Sequence, residues 1–278
     1  MQRTWFITGA SRGLGTEIAK AALRAGDRVV AAARKRASIL SALGPDSDQL
    51  LSVSLDVTDA ARADAAVAAA LSRFGSIDVL VNNAGYGHLG FFEETTSADV
   101  QAQFATNLWG VLSVTRAALP AMRAARKGRI FNISSIAGIR GAEFGSLYSA
   151  SKFALEGFSE ALSSELAPFG LFVTIVEPGP FRTDFLTPES LRFAEHPIAD
   201  YAERRGRIRS SFEQRNGQQP GDPAKLATVI LRLSDEGKPP LRFVAGAFAV
   251  DAADAKLAGM RAEFDSWRQL SLDTDYHK

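Results

Sequence analysis

Tyr148 and Lys152 are the two residues of this sequence whose types and spacing most directly suggest chemistry. They stand four positions apart, so a helix would place the phenol and the ammonium on one face. A neighbouring ammonium favours the phenolate, which predicts a tyrosine pKa below its ordinary value of about 10. Such a side chain can give a proton to a carbonyl oxygen or take one from an alcohol. The competing interpretation is a tyrosine packed on a surface helix, and the rest of the chain must decide between them.

Composition restricts the classes of protein that can carry this pair. The 278 residues suit one large α/β domain or two small ones, and 46% of them are hydrophobic. The net charge of +1 argues against a chain-wide field for nucleic acid or for a membrane surface. There is no cysteine, and His88, His196 and His277 lack metal-ligand spacing, so no metal is expected. The apolar run near the N-terminus is too short for a signal-peptide core and no segment reaches the length of a membrane span, so we expect a cytoplasmic protein.

A glycine-rich turn near the N-terminus predicts a phosphate site. The β-prone run Trp5–Thr8 is followed by Gly9, Gly13 and Gly15, and then by a helical pattern that ends at Ala25. Glycines allow the backbone to approach a pyrophosphate closely, and the free N–H groups of a helix N-terminus attract its charge. The spacing is Gly-x-x-x-Gly-x-Gly, and such a glycine-rich turn could by itself be only a tight connection. Its position between a strand and a helix favours a phosphate site.

Short apolar runs alternate with helical patterns along most of the chain. This alternation predicts a single domain over residues 1–278, an α/β doubly wound parallel sheet of about seven strands with helices on both faces. Ligands bind such sheets at the carboxyl ends of the strands, where Asp56-Val57 and Asn82–Gly85 fall. The predicted strands after the first are Val29–Ala33, Leu51–Leu55, Ile77–Val81, Arg129–Ile133, Phe172–Val176 and Leu241–Val244, and the longest predicted helices are Ala98–Met122, Tyr148–Leu166 and Ala252–Leu270.

Residues 182–221 and 251–278 lie outside this regular alternation. In the first segment Tyr201, Ile208 and Phe212 share one helical face, among six arginines that stand between Arg192 and Arg215. Two interpretations remain open, an amphipathic surface helix with a solvated charged side or a mobile lid over a substrate pocket. The second segment is predicted to be a C-terminal helical tail.

In their order and spacing these motifs resemble the short-chain dehydrogenase/reductase family, from Thr4 to about Thr183. The resemblance implies a Rossmann fold and an NAD(P)-dependent oxidoreductase. Ser135 is preferred to its neighbour Ser134 because the family's active-site serine commonly precedes the tyrosine by thirteen residues. The residues that match the family's four active-site positions are Asn107, Ser135, Tyr148 and Lys152.

The same resemblance assigns a set of residues to a bound dinucleotide. In the family the glycine turn holds the cofactor, an Asp-Val pair contacts the adenine, and the Asn-Asn-Ala-Gly motif steadies the central sheet. Thr183 would hold the nicotinamide amide through its side chain. The residues implied to contact the cofactor are Gly9, Ser11, Arg12, Gly13, Leu14, Gly15, Arg34, Asp56, Val57, Asn83, Ala84, Gly85, Tyr148, Lys152, Pro178, Gly179, Phe181 and Thr183.

The family's mechanism gives each active-site residue an expected role in carbonyl reduction. The Ser135 hydroxyl and the Tyr148 phenol would bond the substrate carbonyl oxygen, and Tyr148 would deliver a proton as hydride reaches the carbon. Lys152 would stabilise the phenolate and bind the nicotinamide ribose. Asn107 would hold a water that links Lys152 to solvent. A cofactor-sensing binding protein without turnover is the alternative, and an epimerase or dehydratase ranks third because only about a hundred residues follow Gly179.

The end of the second predicted strand bears on which dinucleotide is used. NAD-preferring sites place a carboxylate there for the ribose 2′-hydroxyl, whereas this sequence has Ala33 followed by Arg34, Lys35 and Arg36. Guanidinium groups match phosphate in geometry and charge. We therefore expect NADP(H) rather than NAD(H), with Arg34 and Arg12 clamping the 2′-phosphate. A solvated basic loop that is neutral toward the cofactor is the alternative.

Substrate class and assembly are expected from weaker signals. The sequence from Tyr148 to Phe158 is similar to that of hydroxysteroid and retinol dehydrogenases, which act on hydrophobic alcohols and ketones. The helices Ala98–Met122 and Tyr148–Leu166 are too apolar for one buried face each, and in the family they pack against their copies, so we expect a homodimer or homotetramer. Five loop phenylalanines favour an apolar substrate, with loop packing as the alternative, and these are Phe91, Phe92, Phe144, Phe181 and Phe185.

Overall fold

Seven parallel strands form the main sheet of the computed structural model, which describes residues 2–276. Numbered along the chain, they are β1 (Thr4–Thr8), β2 (Arg28–Ala33), β3 (Leu50–Ser54), β4 (Val79–Asn82), β6 (Gly128–Ile133), β7 (Leu171–Pro178) and β9 (Arg242–Ala245), while β5 (Gly87–Leu89) and β8 (Leu191–Phe193) form a separate pair. The order across the main sheet is β3-β2-β1-β4-β6-β7-β9. The predicted doubly wound parallel sheet is therefore confirmed.

Helices cover both faces of this sheet. They are α1 (Gly13–Arg24), α2 (Arg36–Leu43), α3 (Ala60–Phe74), α4 (Ser97–Phe104), α5 (Gly110–Ala125), α6 (Ser146–Leu166), α7 (Ala202–Arg215), α8 (Pro223–Asp235), α9 (Ala247–Ser266) and α10 (Arg268–Leu272). On one face Ile18 of α1 and Ile230 of α8 pack against Ile7, and on the other Val67 of α3 and Val114 of α5 join Phe6. Successive strand residues point to opposite faces, so β1 alone supplies side chains to both layers.

The boundaries of α3 show how local sequence sets an element. The Asp59 carboxylate accepts a hydrogen bond from the Arg62 backbone N–H and caps the first turn. Gly75 ends the helix in the left-handed conformation at φ 79, which a residue with a Cβ adopts only under strain. Between these ends, small alanines such as Ala63 and Ala70 are fully buried, so the helix axis comes close to the sheet.

Two predicted helices differ from the structure in their course. The segment predicted as one helix, Ala98–Met122, is instead α4, a π-helical turn at Ala105–Trp109 and then α5. The predicted tail helix Ala252–Leu270 starts earlier, at Ala247, and breaks at Trp267 into α9 and α10. The end of the predicted tail and His277 lie outside the described residues. Across residues 2–276, no helix is both long and apolar enough to cross a membrane.

Residues 182–221 fold over the connection between β4 and α4. β8 pairs in parallel with β5, and α7 follows. The carboxylate of Glu94, which is 1% exposed, pairs with Arg205 of α7, and Tyr201 stacks on Phe91 with ring centroids 4.3 Å apart. The predicted apolar face of α7 is confirmed, since Ile208 and Phe212 pack with Tyr201 against the same cluster. That this segment is a mobile lid over a substrate pocket stays a prediction.

A buried chain of polar side chains ties the centre of the sheet to two helices. The Asn82 side-chain amide donates to the Thr115 hydroxyl at 2.9 Å and to the side-chain oxygen Oδ1 of Asn132 at 2.8 Å. The Asn132 amide in turn donates to the Ser159 hydroxyl at 2.8 Å. Every member is buried, so each bond replaces one that water would otherwise make. The chain therefore fixes β4, β6, α5 and α6 relative to one another.

Replacing Asn132 by alanine should lower the free energy of unfolding by about 2–3 kcal/mol, because buried groups on Asn82 and Ser159 both lose a partner. Urea unfolding measures this as a lower midpoint at an unchanged slope. Asn216→Ala, at an exposed position after α7, is the matched control and should change stability by less than about 0.5 kcal/mol. Equal midpoints for the two variants would contradict the structural role of this chain.

Candidate active site

The turns at the carboxyl ends of β1, β4, β6 and β7 lie side by side, because these strands are successive neighbours in the sheet. The Asn83 amide, after β4, donates to the carbonyl oxygens of Thr8 at 3.0 Å and Gly9 at 3.1 Å. The Thr8 hydroxyl in turn accepts from the backbone N–H groups of Asn83 and Ala84, each at 3.0 Å. The predicted glycine turn and the predicted Asn-Asn-Ala-Gly motif are thus tied to each other.

Glycine is required in the first of these turns. Gly9 and Gly13 have positive φ values of 65 and 55. A Cβ on Gly15 would lie 2.4 Å from both the Gly9 carbonyl oxygen and the Asn83 amide nitrogen. Leu14 packs against the core beneath the turn. These constraints leave the start of α1 open to a ligand, with its first backbone N–H groups unshielded by large side chains.

A cavity of about 560 Å³ lies beside the glycine turn. Ser11, Arg12 and Gly13 line it on one side, while Arg182 and Thr183 line it from the segment after β7. Thr183 is close to the turn, because its Cβ lies 3.4 Å from the place that a Cβ on Gly13 would occupy. A helix N-terminus, open backbone and two guanidinium groups suit the pyrophosphate of a dinucleotide. The residues present therefore fit the predicted cofactor.

Lys152 and Asn107 meet on either side of Gly85. A Cβ on Gly85 would lie 3.3 Å from Asn107 Oδ1 and 3.7 Å from Lys152 Nζ. The buried Lys152 ammonium donates to the Ile133 carbonyl oxygen at 2.8 Å, which fixes α6 above the end of β6. The same ammonium lies 5.8 Å from the centre of the Tyr148 ring. The structure thus places the Lys152 ammonium close to Gly85, within 4 Å of the same point as Asn107, and 5.8 Å from the ring of Tyr148.

The π-helical turn explains how Asn107 reaches this position. Its amide donates to the Tyr86 carbonyl oxygen at 3.0 Å and to the Ser151 hydroxyl at 3.1 Å, and its Oδ1 accepts from the Tyr86 N–H at 3.1 Å. A π turn widens the helix locally, and such turns are frequent at functional sites. Asn107 therefore holds the backbone next to Gly85 in addition to any role toward solvent.

Ser135 and Ser134 point to different surroundings. The Ser135 hydroxyl accepts from the Ala137 N–H at 3.1 Å and lies close enough to the Tyr148 phenol to lower the pKa of that tyrosine. The buried Ser134 hydroxyl instead faces Gly138, where a Cβ would lie 2.6 Å from it. This geometry supports the assignment of Ser135 rather than Ser134 to the site.

The electrostatics of the tyrosine–lysine pair differ from the sequence-based expectation. Burial raises the pKa of Tyr148 to about 12, and the bond from Ser135 opposes this increase only in part. Burial also lowers the pKa of Lys152 to about 8, although the Glu156 carboxylate acts in the opposite direction. The predicted fall of the tyrosine pKa is wrong for this structure, because loss of solvent around the phenol outweighs the nearby ammonium.

The predicted adenine end of the site lies beyond β2 and β3. The Asp56 carboxylate accepts hydrogen bonds from the hydroxyl and the N–H of Thr58, which lower its pKa. Val57 packs against α5, since a Cβ on Gly110 would lie 2.6 Å from it. Arg34, directly after β2, lies near enough to Asp56 to lower the pKa of that carboxyl further. These three predicted cofactor residues therefore share one corner of the sheet edge.

The neighbouring basic residues are already engaged. The Arg12 guanidinium donates to the Ser190 hydroxyl at 3.1 Å and to the Glu189 carbonyl oxygen at 2.9 Å, so in this structure it holds the lid segment. Arg36 pairs with Asp46 at 2.6 Å. Arg34, by contrast, forms no ion pair within residues 2–276. Of the predicted phosphate clamp, Arg34 is the residue left available, and Arg12 would have to exchange its contacts.

The segment after β7 closes the site from the side of α9. The Gly179 N–H donates to the Ala245 carbonyl oxygen at 2.9 Å, so Pro178 and Gly179 continue the pairing of β7 with β9. Phe181 packs into the core cluster that includes α8, and a Cβ on Gly221 would lie 2.6 Å from its ring. Phe181 therefore anchors this segment and does not line an apolar pocket.

An aromatic cluster adjoins the predicted active-site residue Tyr148. Phe91 meets Phe144 edge-on with ring centroids 5.2 Å apart, and Tyr148 lies 5.6 Å from Phe185. Phe144 has a positive φ of 67, a strained conformation for a residue with a Cβ, and lies two residues before the start of α6 and four before Tyr148. Three of the five predicted phenylalanines thus gather here, whereas Phe92 is 66% exposed.

The structure adds residues that the sequence did not single out. Leu89, Leu191 and Phe193 complete the aromatic cluster through the β5–β8 pair. Glu94 and Arg205 join α7 to the main body over 111 positions of sequence. The available signal was the charge and apolar face of α7, but neither identifies a partner so distant in the chain.

Comparisons with known proteins agree with this architecture. A family model described as short chain dehydrogenase matches residues 3–192. The crystal structure of a short-chain dehydrogenase from Streptomyces avermitilis is 43% identical, with a TM-score of 0.90 and coverage of 99% of this chain and 100% of that one. Retinol dehydrogenase 8 of Bos taurus is 37% identical over 258 residues, which is 86% of this chain and 80% of the relative. An actinorhodin polyketide ketoreductase variant solved with NADPH is 30% identical, with a TM-score of 0.74 and coverage of 88% and 95%.

The fold, the motifs and these matches lead to one classification. The chain belongs to the short-chain dehydrogenase family of oxidoreductases, and retinol dehydrogenases are among its relatives. The predicted family and its Rossmann-type sheet are confirmed.

Proposed function

We propose that this protein transfers a hydride between NADP(H) and the carbon of an apolar secondary alcohol, ketone or aldehyde, with Tyr148 as general acid and base. The observation that carries the proposal is that Lys152 lies near Gly85 beside Asn107 and 5.8 Å from the Tyr148 ring, while Ser135 is close enough to the phenol to lower its pKa. This group lies at the same sheet edge as the glycine turn. When the cofactor is bound, its nicotinamide supplies or accepts the hydride.

Each side chain has a task that its surroundings support. The carbonyl oxygen of the substrate accepts hydrogen bonds from the Ser135 hydroxyl and the Tyr148 phenol, which stabilise the charge that develops there. A phenol with a pKa of about 12 is protonated at neutral pH and is ready to donate in the reductive direction. Lys152, with a pKa of about 8, is charged at neutral pH and stabilises the phenolate that remains. Asn107 supports the water through which the proton is replaced.

Replacing Tyr148 by phenylalanine should abolish NADPH oxidation in the presence of a carbonyl substrate, because the proton donor is removed while the ring keeps its contact with Phe185. General acid catalysis typically contributes a factor of about 10²–10⁴, so turnover should fall at least about a hundredfold. Steady-state absorbance at the nicotinamide band measures the change. Tyr86→Phe, which keeps its backbone bonds to Asn107, serves as the control.

Full activity of Tyr148→Phe would show that the wrong acid has been assigned. A wild-type protein that binds NADPH tightly but turns over no member of a broad panel of ketones, aldehydes and alcohols would favour the alternative function, an NADP(H)-sensing binding protein.

The aromatic cluster supports an apolar substrate. Phe91, Phe144 and Phe185 pack with the Tyr148 ring, so the reacting carbonyl would sit against hydrocarbon and aromatic surface. Bulky apolar carbonyls should therefore have a kcat/KM higher by at least about tenfold than short polar ones, since one buried methylene contributes about 0.8 kcal/mol. A substrate panel of matched aldehydes and ketones measures this ratio, and a preference for sugars or charged acids would contradict it.

The corner after β2 supports NADP(H) rather than NAD(H). Ala33 ends β2 without a carboxylate, and Arg34 follows with its guanidinium unpaired by any carboxylate in residues 2–276. Arg34→Ala should raise KM for NADPH about ten- to a hundredfold, because one charge-assisted bond to a phosphate is lost. The rate with NADH should change little.

The measurement is kcat/KM with each dinucleotide for the wild type and for two variants. Arg62→Ala, a basic residue in α3 that pairs with Asp59, is the matched control and should leave the preference for NADPH unchanged. A wild-type protein that prefers NADH, or an Arg34→Ala variant that keeps its preference for NADPH, would overturn the assignment.

Self-association through the long helices is part of the proposal. Trp109, in the π turn before α5, is 55% exposed, and Phe153 of α6 is 44% exposed. Large apolar side chains at such exposure are typical of surfaces that bind another chain. Light scattering should therefore report a homodimer or homotetramer at micromolar concentration, and Trp109→Glu with Phe153→Glu should produce a smaller species. A wild-type monomer would refute this expectation.

A further inference from the structure

Three charged side chains form a compact cluster behind the catalytic residues. The Arg242 guanidinium, on β9, contacts the carboxylates of Glu156 on α6 and Glu177 on β7, each at 2.5 Å. It also reaches Glu160, one turn farther along α6, at 2.7 Å. Glu177 is fully buried and Glu156 is 4% exposed, whereas Glu160 is half exposed. One guanidinium therefore serves two carboxyl groups that are removed from water.

This arrangement is costly for the fold. A buried charge must be matched, and here two carboxyl groups compete for one permanent cation. Burial and the neighbouring Glu156 together raise the pKa of Glu177 to about 7. The Glu156 Oε1 and Glu177 Oε2 atoms are buried without a hydrogen-bond partner among the described residues. An apolar set of similar size would stabilise the fold at least as well, so a functional role is favoured.

The cluster touches the active site at two points. Glu156 stands one helical turn after Lys152, and its carboxylate supports the charged form of that ammonium. Its Oε1 also faces the turn that carries Ser135, since a Cβ on Gly138 would lie 2.7 Å from Glu156 Oε1 and 2.6 Å from Ser134 Oγ. Glu156 thus lies between Lys152 and the turn that carries Ser135, and both of these residues act together with the proposed proton donor Tyr148.

We propose that Glu156, Glu177 and Arg242 form a positioning unit, which holds Lys152 and the Ser135 turn in register and keeps the Lys152 ammonium charged. The unit touches neither substrate nor cofactor and acts through Lys152 and Ser135. This proposal rests on the proposed function, because the unit can position Lys152 and Ser135 for catalysis only if the site carries out that reaction. It joins β7, β9 and α6, so the last strand of the sheet is coupled to the catalytic helix.

The first test is the protonation of Lys152, which needs no turnover. The groups near this ammonium are the Ile133 carbonyl oxygen, Tyr148, Asn107 and Glu156, and the Glu156 carboxylate raises the pKa of Lys152. Glu156→Gln keeps the side-chain size and removes that charge, so the pH at which Lys152 loses its proton should fall below the wild-type value of about 8. Nitrogen-15 NMR of the lysine side chains measures this, with Lys152→Met to assign the signal.

The matched control is Glu160→Gln, which removes an exposed partner of the same arginine and should leave the Lys152 titration unchanged. An unchanged titration in Glu156→Gln would overturn the electrostatic part of the proposal whether or not the protein is a reductase. If the wild type shows the expected titration but no turnover, the proposed function fails while this part of the unit's role stands.

The second test separates positioning from general stability. Arg242→Met should lower kcat about ten- to a hundredfold, because a displacement of about 1 Å at a reacting group has that cost. Arg242→Lys should restore part of kcat, because it returns a cation to the two buried carboxyl groups. Glu160→Gln should stay within about twofold of wild type.

Two outcomes would overturn the positioning role. One is an Arg242→Met variant that folds and retains wild-type kcat. The other is a loss of kcat that Glu160→Gln reproduces in full. If Arg242→Met fails to fold, kcat of Glu156→Gln as a function of pH decides the question, because the alkaline loss of activity should move to lower pH together with the Lys152 titration.

Discussion

The buried ammonium of Lys152 is the constraint on which the site depends. An amine removed from water needs partners, and the Ile133 carbonyl oxygen provides one at 2.8 Å. That bond fixes the start of α6 above the end of β6 and so places Tyr148 beside the Ser135 turn. A Cβ on Gly85 would lie 3.3 Å from Asn107 Oδ1 and 3.7 Å from the ammonium, so a larger side chain there would crowd both groups. The Arg242 cluster then acts on the same ammonium from the far side, through Glu156.

The segment 182–221 packs near this polar centre in a different way. Its arginines cover aromatic rings, with Arg204 5.0 Å from the Phe91 centroid and Arg209 4.4 Å from the Phe193 centroid. Such contacts bury the hydrocarbon part of arginine and leave its charge near water. The basic residues of α7 therefore serve to close an apolar cluster, which explains their number in a chain of nearly balanced charge. The aromatic cluster that these arginines close includes Phe185, which provides an apolar surface beside Tyr148.

The sequence predicted the parts of the fold that depend on local pattern. The strand predicted at Val29–Ala33 is observed at Arg28–Ala33, and the helix predicted at Tyr148–Leu166 begins two residues earlier, because alternation and glycine stops are read directly from neighbouring residues. The π turn at Asn107 has no such signal, since the flanking residues keep an ordinary helical pattern. The catalytic candidates were found by spacing, in the order that the family resemblance implied.

Long-range contacts set the limits of sequence-based prediction for this chain. Arg12 was expected at a phosphate and instead bonds Ser190, which lies 178 positions away. The pKa of Tyr148 was expected to fall because Lys152 is near in sequence, yet the direction is decided by burial under residues of other elements. The Arg242 cluster likewise joins side chains that are 65 and 86 positions apart. None of these contacts can be predicted from the local sequence pattern, because the partners are far apart in the chain.

The most direct test of the central claim is to follow the hydrogen that reaches the substrate carbon. Wild-type protein would be incubated with NADPH carrying deuterium in both C4 positions and with a bulky apolar ketone, and the alcohol would be examined by mass spectrometry and proton NMR. The account predicts deuterium at the carbinol carbon, taken from the cofactor, while the hydroxyl proton comes from solvent through Tyr148. Deuterium absent from that carbon, or present there only when the solvent is D2O, would contradict hydride transfer as the reaction of this site.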